Sequence, residues 1–306
     1  MKLNAIDRRT LMNHKAFPDP SLVMMARKRI LEILENADPP PAQAVLLTAV
    51  LDLGKAYRKC EDLDPNFARK NLKRAREGFM NYARPGDRSG DKSNREKALD
   101  ATRRLIMCTC QNSKELIEKL RTLVEMIKES LGEENWLTQK TISTLADLLR
   151  KDAGEFEEAM QLYKRCLAVR ERVLGVEHND TLMVVMNMGC LFHQDLKDLK
   201  NGLAYYERAF KGYKKVLGRN HPDTLLALAG MATAYFDGGK NYHKAEELNL
   251  IAIQGYLKIG KVHEYCKASF NLAAVYAKSG EKEKLRKVLD FYPHIIEYQP
   301  SFNDHI

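Results

Sequence analysis

From Asp223 onward the apolar and small positions fall at Leu225, Leu228, Ala229, Ala232 and Tyr235, three or four residues apart. That spacing lays them along one face of an α-helix. The stretch "FDGGKN", Phe236 to Asn241, interrupts the pattern, and Ala245, Leu248, Ala252, Ile253 and Tyr256 then resume the same step. Two amphipathic helices joined by a turn are predicted.

Where this pair ends, a short phrase begins, and the phrase returns along the chain. "LGEENWLTQ" spans Leu131 to Gln139, "LGVEHNDTL" Leu174 to Leu182, "LGRNHPDTL" Leu217 to Leu225 and "IGKVHEYCK" Ile259 to Lys267, at intervals of 43, 43 and 42 residues. Its chemistry is that of helix punctuation. Gly218 suits a residue in the left-handed conformation closing the preceding helix. His221 or Asn220 can cap the next helix, and Pro222 suits the first helical position because its missing N–H would have no partner there. Asp223 sets negative charge against the positive helix end. His178, His221 and His263 come one per unit, about a repeat apart, so they read as turn residues and not as a metal site.

Overlaying the units brings small residues into register. Gly54, Ala146, Gly189, Ala232 and Ala273 share one position in the first helices, preceded by Leu53, Leu145, Met188, Met231 and Leu272. Tyr57, Leu149, Phe192, Tyr235 and Tyr276 follow three residues later. In the second helices Ala68, Ala159, Gly202 and Ala245 align, as do Ala75, Cys166, Ala209 and Ala252 seven residues on. Small residues at such positions let two helix backbones approach, and large neighbours fill the flanking gaps.

A first helix of the form L-G/A-x-x-Y, then a second helix opened by a small residue and carrying an aromatic and an alanine, resembles the tetratricopeptide repeat. The usual period is about 34 residues. The longer interval here, the phrase between units, and "GEFEEAMQLYKRCLAVRERVLG" (Gly154 to Gly175) within one resemble the kinesin light chain type of that repeat. The resemblance covers residues 131–292 and also 46–86, where "LDLGKAY" (Leu51 to Tyr57) supplies a first helix. It extends over 95–130, where Arg103 and Arg104 interrupt the apolar pattern but "LRTLVEMIKESLG" closes in register. It implies an all-α fold, a right-handed α-solenoid of about six stacked antiparallel helix pairs, near 43–83, 95–130, 137–173, 180–216, 223–258 and 264–292. Residues 1–42 form an N-terminal extension, in which a helix capped by Ser21 and running over about 21–36 would cover the open end of the stack. "RPGDRSGDKSN" (Arg84 to Asn94) has loop composition, and 293–306 is an aromatic tail.

Composition narrows the function. Of 306 residues, 44% are apolar, with only 10 Pro and 17 Gly, which fits an ordered helical chain better than a disordered or turn-rich one. No apolar run reaches the roughly 18 residues that span a membrane. The first twenty residues lack the apolar core of a secretory signal, and a soluble cytoplasmic protein is expected. Six cysteines are scattered, and Cys108 and Cys110, separated by one residue, lack zinc-site spacing, so no metal is expected. No phosphate-binding loop, nucleotide fingerprint, nucleophile elbow or zinc-protease motif is present. Glu155, Glu157 and Glu158 open a helix and face water. Tyr205, Tyr206 and the stretch Asn187 to His193 occupy packing positions. The expectation is no catalysis and no cofactor.

In kinesin light chain-like repeats, the resemblance implies, the first helices line a concave groove that receives extended peptides. The first-helix positions not spent on packing are Lys55, Arg58 and Lys59 in the first pair and Arg103 in the second. In the third they are Lys140, Ser143, Asp147, Arg150 and Lys151; in the fourth, Met183, Met186, Asn187, Cys190 and His193. In the fifth they include Ala229, Thr233 and Phe236, and in the sixth Lys267, Phe270, Asn271 and Lys278. Such a groove is basic toward its N-terminal end and more apolar at the fourth and fifth pairs. It suits an acidic, or mixed acidic and apolar, peptide or partner protein, with the amides of Asn187 and Asn271 placed to hold a ligand backbone. Residues 1–130 carry 26 Lys and Arg against 18 Asp and Glu, a balance of +8, whereas 131–306 carry 24 against 23. Between 65 and 104 the count is 12 against 5. Nucleic-acid binding through this basic half is therefore one alternative, and a structural subunit of a transport or ciliary assembly is another.

Overall fold

The structure, a computed structural model, describes residues 25, 28–32, 35, 48, 50–52, 65–82, 91–110, 112–239 and 241–291. Among these the regular elements are all helical. In chain order they are α1 (Pro65–Tyr82), α2 (Asp91–Thr109), α3 (Ser113–Leu131), α4 (Trp136–Leu148), α5 (Phe156–Leu174), α6 (Asn179–Cys190), α7 (Leu199–Leu217), α8 (Pro222–Asp237), α9 (Tyr242–Lys258), α10 (Val262–Ser279) and α11 (Lys282–Phe291). Two π-helical turns, π1 (Leu149–Ala153) and π2 (Leu191–Asp195), prolong α4 and α6. The all-α repeat fold expected from the sequence is what forms. The capping helix expected near 21–36, the first helix of the first pair, the loop 84–94 and the tail 293–306 lie wholly or largely outside the described residues.

The chain divides into two compact units, 1–141 and 142–306. In the first, α1 packs on α2 and α2 on α3. Helix α3 shows why the sequence folds so. Asn112 accepts a hydrogen bond from the Glu115 amide at 2.8 Å, capping the start, and Glu115 and Lys128 match the two helix ends. Ile117, Leu120, Val124, Ile127 and Leu131 form the buried stripe. The two arginines that interrupt the pattern in α2 have a local answer. Arg103 Nη2 and Arg104 Nε donate to the two oxygens of buried Asp100 at 3.0 and 2.9 Å. Burial works against that carboxylate, but the two guanidinium groups outweigh it and hold its pKa below the usual value.

In the second unit each helix from α5 to α11 packs on the next. At its centre the Tyr206 ring is fully buried between two first helices. A Cβ on Gly189 of α6 would stand 2.6 Å from a ring carbon, and one on Gly230 of α8 would stand 3.0 Å away. The register of small residues therefore serves close approach of backbone to a ring as well as of backbone to backbone.

The recurring phrase is a joint closed by its own side chains. Thr138, Thr181 and Thr224 donate their hydroxyls to the carbonyls of Gly132, Gly175 and Gly218 at 2.7, 2.9 and 2.8 Å. Asn135, His178 and His221 accept from the backbone amide two residues on, at 2.8, 3.1 and 3.2 Å. The turn role of His178 and His221 holds. Gly218 differs in detail from the expectation: its φ is 89° but its ψ is 167°, an extended conformation with positive φ, not the left-handed helical one. The fourth phrase also departs. Helix α10 starts at Val262 without a side-chain cap, His263 lies inside it, and Cys266 stands where the threonine would.

Candidate functional site

In the second unit the first helices adjoin directly, α6 against α8 and α8 against α10. Polar side chains tie α4 to α6 and α6 to α8 laterally. Asn187 of α6 donates from Nδ2 to Asp147 Oδ1 at 2.8 Å, and the Tyr163 hydroxyl of α5 donates to the same oxygen. Arg150 Nη1 in π1 meets Asp195 Oδ2 in π2 at 2.7 Å. His193 Nε2 in π2 lies 2.8 Å from Asp237 Oδ2 at the end of α8. Each π-turn thus presents a basic side chain to an acid on the following first helix. The wider π-helical turn places Arg150 and His193 where they reach sideways, in keeping with the functional use of such rare turns.

This arrangement sorts the residues proposed from sequence. Arg150, His193, Ser143 and Met186 are buried, and in the first unit so is Arg103. The four in the second unit form the floor and the lateral ties of its face, and Arg103 is held by Asp100 of its own helix. Asn187 spends its amide on Asp147, so its side chain ties two repeats together in this structure. Asp147, Cys190, Thr233, Phe236, Phe270 and Asn271 are half-buried, and Lys151, Met183, Lys267 and Lys278 are exposed. In the first unit Lys140 is exposed, its Nζ 5.6 Å from the centre of the Trp136 ring. Lys55, Arg58 and Lys59 lie outside the described residues.

Sequence reasoning passed over Leu226. It stands 43 residues after Met183, at the same first-helix position, and the two side chains are 50% and 43% exposed. Counted back from the aligned small residues Ala232 and Ala273, Lys267 occupies that position on α10, one residue nearer its phrase glycine than Leu226 is to Gly218. One register row thus runs Met183, Leu226, Lys267 across three adjoining helices. The 43-residue interval was the available signal. Asp195 and Asp237 were also passed over; the signal for them was an acid 45 or 44 residues after each basic groove residue.

Burial raises the Asp147 pKa above its ordinary 3.8, and the hydrogen bond from Tyr163 and the charges of Lys151, Arg150 and Arg170 only partly offset this. The folded state therefore holds this proton more tightly than the unfolded one. Its contribution to stability is greatest below the unfolded pKa and is lost as pH rises through the folded value. Asp100 has the opposite sign: its contribution is present above the unfolded pKa and lost as pH falls through the depressed folded value. Urea midpoints measured across the acid range should show Asp147→Asn gaining on the wild type as pH rises, and Asp100→Asn losing ground.

Among the described residues no group of three or more His, Cys, Asp or Glu side chains could hold a metal ion. No described helix is long and apolar enough to cross a membrane. Cys166 is buried, which pushes its thiol up to about 11.

Residues 138–180 match one family model of the tetratricopeptide repeat, and residues 190–250 match a second. No curated protein matches the chain. Among solved structures, BtubC (BKLC) from P. vanneervenii has a TM-score of 0.65 at 16% identity, over 76% of this chain and 91% of that one. A putative kinesin light chain from Podosopora anserina, with nearly identical TPR-like repeats, has a TM-score of 0.52 at 18% identity, over 76% and 98%. The Rap protein complexed with Competence and Sporulation Factor has a TM-score of 0.60 at 13% identity, over 91% and 71%. At these identities the likeness is one of fold.

Proposed function

We propose that this chain, a tetratricopeptide-repeat protein with repeats of the kinesin light chain type, is a non-enzymatic scaffold that binds a mixed acidic and apolar peptide segment of a partner protein along the first helices of its second unit. The observation that carries this reading is the row Met183, Leu226, Lys267. Two large apolar side chains in one register on adjoining helices stay exposed, and a lysine follows them. Packed helix axes lie about 8–10 Å apart, so an extended segment at about 3.3 Å per residue would set every third side chain over the next helix. Apolar anchors would meet Met183 and Leu226, and a carboxylate Lys267. Lys151 and Lys278, both exposed, give the same face further positive charge. Rap, captured with a bound factor, is a fold neighbour in which a ligand is seen.

Selection from a displayed library of short random peptides tests the reading. Sequences combining acidic and apolar residues should be enriched. Met183→Asp and Leu226→Asp should each weaken a selected peptide by about tenfold, roughly 1.4 kcal/mol, and Lys267→Glu should weaken it in a salt-dependent way. Enrichment of basic peptides, or affinities indifferent to all three substitutions, would refute it.

A further inference from the structure

We propose that the outer face of α1, in the first unit, is a separate binding site for the phosphate backbone of duplex nucleic acid. Helix α1 exposes Arg69, Lys70, Lys73 and Arg74 side by side. Arg74 pairs with Glu35 at 2.7 Å, and Arg76 with Glu77 at 3.5 Å. Arg69, Lys70 and Lys73 have no partner among the described residues. Helix physics does not call for cations there. The first turn of α1 contains no acid and the last turn no base, so the charges are not set where the helix ends favour them. Arg69 with Lys73 and Lys70 with Arg74 are like-charge pairs at i,i+4, an arrangement that works against the helix.

Helix α7 supplies the contrast. It also has five cations and one acid in its sequence. There Lys211 meets Glu207 at 3.7 Å, Lys215 meets Glu177 at 2.6 Å, Arg208 pairs with Glu171, and Lys214 lies over the Phe210 ring. Four of the five cations of α7 are thus engaged within the protein, all but Lys200; on α1 Arg69, Lys70 and Lys73 are open to an anion among the described residues.

One absence selects the kind of anion. No large apolar side chain is among the exposed ones on the described parts of α1 and α2. Protein partners draw most of their affinity from apolar and aromatic anchors, and single-stranded nucleic acid from aromatic stacking. A cluster of exposed cations with no large apolar side chain exposed among the described ones matches a partner whose affinity comes from phosphate charge, read without regard to sequence. Residues four apart on a helix rise about 6 Å, so Arg69 and Lys73 can reach successive phosphates.

Fluorescence anisotropy of the full chain with a labelled random-sequence DNA duplex, an RNA duplex and a single strand tests this, at rising salt. Both duplexes should bind, with log Kd changing against log salt by about 2–3, from about 0.9 per phosphate contact. The R69E/K70E/K73E variant should lose about tenfold or more and most of that slope. K200E/K211E/K214E, the same charge change placed on α7, should stay within about twofold. R69Q/K70Q/K73Q, checked by circular dichroism, replaces the first variant if charge reversal unfolds α1. The proposal is overturned by no duplex binding at low salt, by equal loss from the α7 variant, or by tighter binding of the single strand. Capture of poly-glutamate or phosphatidylserine vesicles through the same residues, with no duplex bound, overturns it equally. None of these outcomes bears on the peptide row of the second unit.

Discussion

Replacing Tyr206 by alanine is expected to lower the unfolding free energy by about 3–5 kcal/mol, the range for a large buried ring. The ring is wholly buried and is shared by α6 and α8. It also stands edge-on to His193, with centroids 5.9 Å apart, and its hydroxyl lies 3.4 Å from His193 Nδ1. Truncation would leave a cavity at the centre of the second unit and remove a polar neighbour from a histidine that is 2% exposed. Gly189→Ala approaches the same contact from the other side. Alanine favours a helix over glycine by about 1 kcal/mol. Yet its Cβ would meet the Tyr206 ring at 2.6 Å, and a ring held on all sides cannot yield, so overpacking of about 1–3 kcal/mol should prevail. The double variant Gly189→Ala, Tyr206→Ala should lose less than the sum, because the added methyl enters the vacated space. Guanidinium denaturation of the four proteins measures this. Strict additivity would mean that the ring and the glycine do not share a contact.

Arg150→Met should be nearly as costly, about 2–4 kcal/mol. The Arg150 side chain is 9% exposed and its Asp195 partner 19%, so the bridge is largely removed from water. Removing one member of such a pair leaves the other buried and uncompensated, whereas replacing both can be close to neutral. Arg150→Met with Asp195→Asn should therefore recover most of the loss. A surface pair of the same length, Lys215 with Glu177 at 2.6 Å and 68% and 48% exposed, is the control, for which Lys215→Met should cost under about 1 kcal/mol. Chemical denaturation of the double-mutant cycle separates the two cases.

The fold was legible because repetition averages over local ambiguity. A glycine such as Gly189 or Gly202 says little alone, but its recurrence with Ala146, Ala159 and Ala232 marks a packing site. The end of each first helix was not legible. Nothing in "LLRKDAG" distinguishes a π-turn from a continued α-helix, and it is from this turn that Arg150 reaches Asp195. For that reason the face was expected to offer more free charge than it has: Arg103, Arg150 and His193 are cations or potential cations whose partners lie on other turns or other repeats. Charge counting along a chain cannot see a carboxylate 45 residues away. The apolar row was in reach, since Leu226 sits one interval beyond Met183; it was passed over because attention went to the buried stripe beside it.

The threonine joints have a consequence for how such a chain can grow. Each joint from Gly175 to Thr181 and from Gly218 to Thr224 satisfies its glycine carbonyl and the start of its helix with its own side chains. A block cut at one glycine and at the next carries its ending with it, and can be duplicated or spliced in tandem without leaving a raw edge. The variant joint at Gly260, with Cys266 in place of the threonine, does not offer that freedom, so copying of units is free to proceed upstream of it and is discouraged across it.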